Sequence, residues 1–224
     1  MLNLIVVSHP DDEILGYGAT GYIENKKGNT IQPLILCGDV NARGLRPKDE
    51  ELFEDMLNAN KLLGFREPIL GHFPNLRMNT IPHIEIVQFI ENKIKDISPD
   101  NIFTHHPNDL NDDHRQVSNA CLAAARISQR NSSIKPLKGL YFMEILSSTE
   151  WAYDIGRKGF NPQIFVDISE SIDIKIKALS LYRNVMRDSP HPRSKEVIKA
   201  LATLRGTQIG FKYAEAFEVC FQRG

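Results

Sequence analysis

Residues 2–13 read LNLIVVSHPDDE, and this stretch determines how the rest of the chain is interpreted. Its apolar, β-branched run breaks at Pro10, a pattern that predicts a buried strand. The polar residues that follow then lie at the carboxyl end of that strand. Because ligands bind at this edge in open α/β sheets, residues 9–13 mark a candidate site.

The run HPDDE at residues 9–13 places three carboxylates and one imidazole within five residues. Such groups repel one another and are costly to bury without a cation. We therefore predict a metal site with one carboxylate left for proton transfer. The alternative is an N-capping turn, since Asp before a helix caps free backbone N–H groups. Capping explains one aspartate, but not His9, Asp11 and Glu13 together.

The composition indicates a globular enzyme. The chain has 224 residues, which suits one α/β domain over 1–224 or at most two small ones. Hydrophobic residues make up 42% and charged residues 25%, as in ordinary globular proteins. With a net charge of −1 and a pI of about 6.7, nothing indicates a nucleic-acid or membrane surface. No apolar run approaches the roughly 18 residues that span a bilayer, so we expect no membrane insertion.

The N-terminal stretch and the cysteines indicate neither export nor disulfide bonding. The N-terminal stretch lacks a basic segment followed by an apolar one, so we expect no signal peptide and a cytoplasmic location. Cys37, Cys121 and Cys220 are widely spaced and fit neither a disulfide framework nor a thiolate zinc motif. Each is flanked by apolar residues, and we expect all three to lie in the core.

Strand-like and helix-like patterns alternate along the chain, which predicts a Rossmann-like α/β fold with a mostly parallel sheet flanked by helices. We read the whole chain as one domain. The predicted strands cover residues 2–8, 31–37, 68–70, 101–104, 138–145 and 162–167. The predicted helices cover residues 14–25, 47–63, 82–97, 111–126, 170–187 and 194–204.

A second polar cluster, THHPNDLNDDHR at residues 104–115, follows another predicted strand. The loops after parallel strands converge at one edge, so His9 and His114 can meet. A catalytic zinc site needs three N or O ligands and an open position for water. His9, Asp12 and His114 supply such a set. Taken alone, His114 is better explained as an exposed residue in the first turn of a helix, but beside the first cluster the ligand interpretation is favoured.

The runs at residues 9–13 and 113–115 resemble the LmbE-like or PIG-L family of zinc-dependent N-acetyl-sugar deacetylases. The stretches EILSSTEW at 144–151 and YAEAFE at 213–218 extend the resemblance over most of the chain. It implies a Rossmann-like α/β fold and hydrolysis of an N-acetyl group to acetate and a free amino sugar.

The resemblance also implies roles for individual residues. It identifies His9, Asp12 and His114 as zinc ligands, and Asp11 as the general base that activates the metal-bound water. Glu13 then supports the site rather than binding the metal. Other divalent ions also suit two histidines and one aspartate, so zinc is the expected cofactor with another metal as the alternative.

The group that stabilises the oxyanion is less clear from the sequence. Many relatives have a histidine three residues before the metal-binding histidine, whereas this chain has Asn111 there. Either Asn111 donates as a neutral amide, or His105 or His106 supplies the positive charge. We favour His106 slightly over His105, because alternation along the strand points the two rings to opposite sides.

Substrate contacts are expected from loops that open on the same edge. Arg43 and Arg46 follow the second strand, and Asn75 and Arg77 follow the third. Arginine forks and amides bind sugars and their phosphates, although surface arginines are the alternative reading. The turn at residues 190–194, PHPRS, could form a pocket wall, but an ordinary interhelical loop is favoured.

The leading hypothesis is a metal-dependent hydrolase acting on an N-acyl amino sugar or nucleotide sugar. The sequence is also compatible with a homo-oligomer. One alternative is an amidase on a non-sugar N-acyl molecule, because the same chemistry serves both. The other is a non-catalytic, Rossmann-type nucleotide-binding module. Its glycine-rich loop would have to be GYGATG at residues 16–21, which follows an acidic turn that would repel a pyrophosphate.

Overall fold

The computed structural model describes residues 1–38, 47–153 and 158–224. Within these residues, strands and helices alternate over most of the chain. The strands are β1 (Leu2–Val7), β2 (Thr30–Ile35), β3 (Ile69–Leu70), β4 (Asn101–His105), β5 (Gly139–Met143), β6 (Ile164–Asp167) and β7 (Ala214–Gln222). The helices are α1 (Asp12–Lys26), α2 (Asp49–Leu62), α3 (His83–Ile97), α4 (Asp112–Ala124), α5 (Ile127–Arg130), α6 (Ile172–Leu179) and α7 (Lys195–Thr207).

The strands form one sheet in the order β3-β2-β1-β4-β5-β7-β6. The pairs among β3, β2, β1, β4 and β5 are parallel, whereas β7 is antiparallel to both β5 and β6. The first five positions follow the order of a doubly wound sheet. The predicted α/β class, a mostly parallel sheet flanked by helices, is confirmed.

The apolar run of β1 is buried on both faces of the sheet, as expected for a central parallel strand. Ile5 and Val7 pack into a layer with the apolar faces of α1, α2, α6 and α7. Leu4 and Val6 point the other way, into a layer with α3 and α4. Period-two alternation thus places one strand between two cores and fixes where its carboxyl end emerges.

The C-terminal third departs most from the prediction. Strand β7 was not predicted, because Glu215 and Glu218 interrupt its apolar residues. It is stable there because the sheet neighbours satisfy its backbone on both sides. The predicted helix 170–187 is only α6, and the residues after it form turns that still bury Tyr182 and Val185.

The cysteines also differ from the prediction. Cys37 and Cys121 are buried, but Cys220 is exposed in the second half of β7. There the strand exposes alternate residues, so the apolar neighbours of Cys220 do not place it in the core.

The turns after β1, β4 and β5 emerge side by side, because these strands are sheet neighbours that run in the same direction. Together with the start of α1 and α4, they collect residues from distant parts of the sequence at one edge. No described helix is long and apolar enough to cross a membrane.

Candidate functional site

One turn and two helix starts bring the three predicted ligands together. His9 lies in the turn after β1, Asp12 is the first residue of α1, and His114 lies in the first turn of α4. Their ligand atoms all lie within 4.8 Å of one another. Asp12 Oδ2 is 3.3 Å from His9 Nδ1 and 3.2 Å from His114 Nε2.

The surroundings of Asp12 fit a bound cation. Its side chain is only 1% exposed, and within the described residues its Oδ1 has no hydrogen-bond partner. A buried carboxylate oxygen without a donor is costly, and a cation removes that cost. Two imidazoles and one carboxylate are a ligand set typical of a catalytic zinc ion, and other divalent metals can also bind it.

A carboxylate lies behind each of the two histidines of this set. His9 Nε2 lies 3.0 Å from Asp113 Oδ2, and His114 Nδ1 lies 3.2 Å from Asp109 Oδ1. Each contact fixes the ring and leaves the other nitrogen toward Asp12. Such carboxylate–histidine pairs orient metal ligands and make them more basic.

These two carboxylates are themselves held firmly. Asp113 accepts hydrogen bonds from the backbone N–H of Leu76 at 2.6 Å and of Met78 at 3.1 Å. Asp109 accepts one from Thr149 Oγ1 at 2.7 Å. The loops after β3 and β5 are therefore tied to the histidine ligands through these two aspartates.

The electrostatics of the site favour a positive charge. Burial lowers the pKa of His114, but Asp12 and Asp109 on either side outweigh it and raise the pKa to about 10. Burial raises the pKa of Asp109, but the charge of His114 outweighs it and lowers the pKa to about 2. A proton is thus held strongly between carboxylates, as expected where a metal ion binds.

Asp11 is the buried residue before α1, with a φ of 97°. A non-glycine residue rarely adopts this backbone conformation, and such strain often occurs at functional sites. In the described chain its side chain makes no capping hydrogen bond to α1. Its Oδ2 instead accepts a 2.7 Å hydrogen bond from Arg193 Nη1. The capping alternative therefore does not explain Asp11.

Arg193 belongs to the turn that was expected to be an ordinary interhelical loop. The next residue, Ser194, caps α7 by accepting a 3.2 Å hydrogen bond from the backbone N–H of Val197. This cap places Arg193 against Asp11 and in the wall of the cavity beside His9 and His114. Burial lowers the pKa of Arg193, but Asp11 outweighs it and raises the pKa. The preference for an ordinary loop is corrected: the turn forms a pocket wall.

Glu13 supports the turn rather than lying among the candidate ligands. Its Oε1 accepts hydrogen bonds from Tyr182 Oη at 2.5 Å and Asn60 Nδ2 at 3.0 Å. Its Oε2 accepts one from the backbone N–H of Asp11 at 3.0 Å. Burial raises the pKa of Glu13 to about 7. The carboxyl group thus fixes the conformation of residue 11 from behind.

An open cavity of about 320 Å³ borders His9 and His114. Its wall includes Asn75, Asn111 and Trp151. Asn75 is buried, and in the part of the chain that the structure describes its Nδ2 has no hydrogen-bond partner. The amide oxygen of Asn111 accepts the backbone N–H of Asp113, and its amide nitrogen remains as a donor. The cavity therefore offers two amide donors beside the histidines.

Neither strand-end histidine is among the described residues that line this cavity. His106 Nε2 lies 3.4 Å from Oε2 of Glu218, a residue of β7. His105 Nε2 accepts a 2.8 Å hydrogen bond from the backbone N–H of Ser8. Burial lowers the pKa of His105 well below its usual value, so the ring is neutral. Of the three oxyanion candidates, only Asn111 reaches the cavity.

Of the predicted arginines, Arg77 lies in the described part of the chain. It is exposed and is not one of the described cavity residues. Arg43 and Arg46 lie outside the described residues. Of the two predicted substrate contacts that the structure describes, Asn75 lies in the cavity wall and Arg77 does not.

A family model described as "PIG-L: GlcNAc-PI de-N-acetylase" matches residues 4–125. The match covers more than half of the chain, so the chain belongs to this family. Family membership identifies it as a deacetylase, a hydrolase of amide bonds. The matched region contains His9, Asp11, Asp12 and His114, whereas Arg193 lies outside it.

Solved structures share the fold over the full length. A conserved protein from Thermus thermophilus is 25% identical, with a TM-score of 0.81 over 100% of this chain and 97% of that one. The N,N'-diacetylchitobiose deacetylase from Pyrococcus horikoshii is 17% identical, with a TM-score of 0.79 over 97% and 83%. The 4-carboxy-2-hydroxymuconate hydratase from Pseudomonas putida is 18% identical, with a TM-score of 0.79 over 100% and 97%.

The hydratase shows that this fold carries more than one reaction, so the fold alone does not define the activity. No curated protein matched the chain. The activity is therefore inferred from family membership and from the residues of the site.

Three residues of the site were not assigned a role from the sequence. Asp109 and Asp113 could have been found, since acidic residues beside a metal-binding histidine often orient it. Arg193 was named only within the turn that could form a pocket wall, and its contact with Asp11, 182 positions away, had no local signal.

Proposed function

We propose that the protein is a zinc-dependent N-deacetylase that removes the acetyl group from an amino sugar or a sugar conjugate, with nucleotide sugars among the candidates. The observation that carries the proposal is the set His9, Asp12 and His114, with Asp11 next to it, beside a cavity of about 320 Å³. Sites for small molecules commonly have this size.

His9 Nδ1, a carboxylate oxygen of Asp12 and His114 Nε2 would hold the metal. When bound, zinc or another divalent ion would act as a Lewis acid that polarises the amide carbonyl and lowers the pKa of a water molecule to about 7. Asp113 and Asp109 hold the two rings so that these nitrogens stay directed at Asp12.

Asp11 acts as the general base. It accepts a proton from the attacking water and returns it to the leaving amine, so that acetate and a free amino sugar result. Arg193 donates to Asp11 Oδ2 at 2.7 Å and holds the carboxylate in place. Because Arg193 also lines the cavity, it can contact the substrate through its remaining N–H groups.

The amide donors of Asn75 and Asn111 bind the substrate and stabilise the oxyanion. Removal of a single oxyanion donor commonly slows an acyl-transfer enzyme by about 100- to 1,000-fold. Asn75 is favoured as the oxyanion donor because its buried Nδ2 has no hydrogen-bond partner in the described chain. His106 faces Glu218, so we no longer place it at the oxyanion. Trp151 offers a face on which a sugar ring can stack.

The test is a screen of metal-analysed protein against N-acetylated monosaccharides, disaccharides and nucleotide sugars, with release of acetate as the readout. Wild type and Asp11→Asn are compared with Asp112→Asn as a matched control, since Asp112 is half-exposed and pairs with Arg115. We expect Asp11→Asn to keep its metal and lose activity, and the control to keep both. Full activity in Asp11→Asn would contradict the mechanism.

The same screen separates sugar from non-sugar substrates when N-acetylated amino acids and amines are added. Faster release of acetate from those compounds would favour the amidase alternative. We also keep a cytoplasmic location and a homo-oligomer as predictions.

A further inference from the structure

A second set of donor atoms shares His9 with the first. The ligand atoms of His9, Cys37 and Asp113 lie within 4.8 Å of one another, and all three residues are buried. The set differs in chemistry from His9, Asp12 and His114 because it contains a sulfur atom. Thiolates select softer metal ions than carboxylate and imidazole ligands do.

The backbone explains how Cys37 reaches this position. Cys37 lies just beyond β2, and its N–H donates a 2.8 Å hydrogen bond to the carbonyl oxygen of Ser8, just beyond β1. The two segments therefore continue side by side after their strands end. The cysteine therefore lies beside the turn that carries His9. Asp113 approaches from α4 and is fixed by the loop after β3. Three separate elements converge on one point.

The two sets use opposite nitrogens of one ring. His9 Nδ1 is 3.3 Å from Asp12 Oδ2, and His9 Nε2 is 3.0 Å from Asp113 Oδ2. A neutral imidazole carries a proton on one nitrogen and a free lone pair on the other. His9 can therefore serve only one of the two sets at a time as a neutral ligand.

We propose that His9, Cys37 and Asp113 form an inhibitory site for a thiophilic divalent ion such as Cd²⁺. When the ion binds, the Cys37 thiol loses its proton to solvent and a metal–sulfur bond forms. The proton of His9 moves from Nε2 to Nδ1, and Nε2 binds the ion beside Asp113. His9 then no longer completes the ligand set with Asp12 and His114, so the catalytic metal is released.

The test is a titration of the zinc-loaded protein with Cd²⁺, followed by ultraviolet absorption, by zinc released to a chelating dye and by deacetylase rate. We expect a thiolate-to-cadmium charge-transfer band, one zinc released per cadmium bound, and loss of activity over the same concentration range. The rate readout rests on the proposed function, whereas the absorption band does not.

Cys37→Ala and Cys37→Ser are compared with Cys121→Ala, a buried control, and Cys220→Ala, an exposed one. Each rate is referred to the same variant without cadmium, and circular dichroism confirms folding. In both Cys37 variants we expect no band and at least about a tenfold rise in the cadmium needed for half inhibition. The controls should behave like wild type.

Three results would overturn the proposal. A band that persists without Cys37 would place the thiolate elsewhere. Unchanged inhibition without a band in the Cys37 variants would mean that cadmium simply replaces the metal at His9, Asp12 and His114. A band in wild type with zinc fully retained would show that the two sets are not exclusive.

Discussion

Both ends of the sheet carry buried carboxylates, but these carboxylates have different partners at the two ends. At the amino ends of the strands, Asp100 accepts the backbone N–H of Leu2 at 2.8 Å and pairs with Lys135 at 2.9 Å and Lys138 at 3.1 Å. At the carboxyl ends, Asp12 has three imidazoles within 3.7 Å and, in the described residues, an oxygen without a donor.

The difference separates stability from function. Asp100 is satisfied by its neighbours and needs nothing further, whereas the carboxylates at the opposite end exceed the cations that the described chain supplies there. We attribute this costly arrangement to the metal ion that we propose binds there. Substitutions at the two ends should therefore give opposite patterns of activity and stability.

The largest effect on activity is expected for Asp12→Ala. The change removes one of three proposed ligands and should weaken metal binding by more than the roughly 10- to 100-fold lost when a supporting residue is changed. Metal content after dialysis and the rate of acetate release measure it. Asp112→Ala is the control, and retention of both metal and activity in Asp12→Ala would show that Asp12 is not a ligand.

Arg193→Gln comes next. A hydrogen bond to a charged group contributes about 1.5–3 kcal/mol, so loss of the contact with Asp11 should lower kcat by about 10- to 100-fold. Metal content should stay unchanged, and Arg193→Lys should recover part of the rate because it restores the charge. If kcat is unaffected while KM rises, Arg193 contacts only the substrate and does not position Asp11.

Asp113→Asn should act through His9 rather than through the metal directly. We expect about a 10- to 100-fold loss of metal affinity, with activity restored by added zinc. Competition with a chelator gives the affinity, and Asp112→Asn is the matched neighbour. An activity loss that zinc does not rescue would contradict a purely supporting role.

Asp100→Asn should have the smallest effect on activity, namely none. Lys135 lowers the pKa of Asp100 below its usual value, so the carboxylate stabilises the fold above about pH 4, and this contribution is lost as pH falls through the lowered pKa. Because both lysines are about half exposed, we expect a loss of about 1 kcal/mol at pH 7. Urea unfolding at pH 7 and pH 3 should show the difference shrinking at the lower pH; a constant difference would contradict it.

The sequence predicted the first half of the molecule well for physical reasons. Parallel strands that are buried on both faces are apolar runs, and each run here ends at polar residues that must share one edge. His9, Asp12 and His114 could therefore be grouped without a structure. Strand β7 was missed because buried Glu215 and Glu218 interrupt its apolar residues, and Glu215 pairs with Lys175 at 2.7 Å. Nothing local signals that pairing.

The site was predictable to a similar degree. The proposed ligands lie in two short motifs, whereas the contact of Asp11 with Arg193 depends on where the turn before α7 lies relative to the start of α1. His106 was slightly favoured as the positive group near the oxyanion, because alternation gives the side of the sheet but not the partner. That partner, Glu218, belongs to the strand that was not predicted.

Metal removal tests the central claim most directly. The protein is stripped with a chelator, its fold is checked, and the rate of acetate release is followed as Zn²⁺ is added back. We predict no activity without metal and a linear recovery that ends at one zinc per chain. Full activity of the folded, metal-free protein would contradict the account.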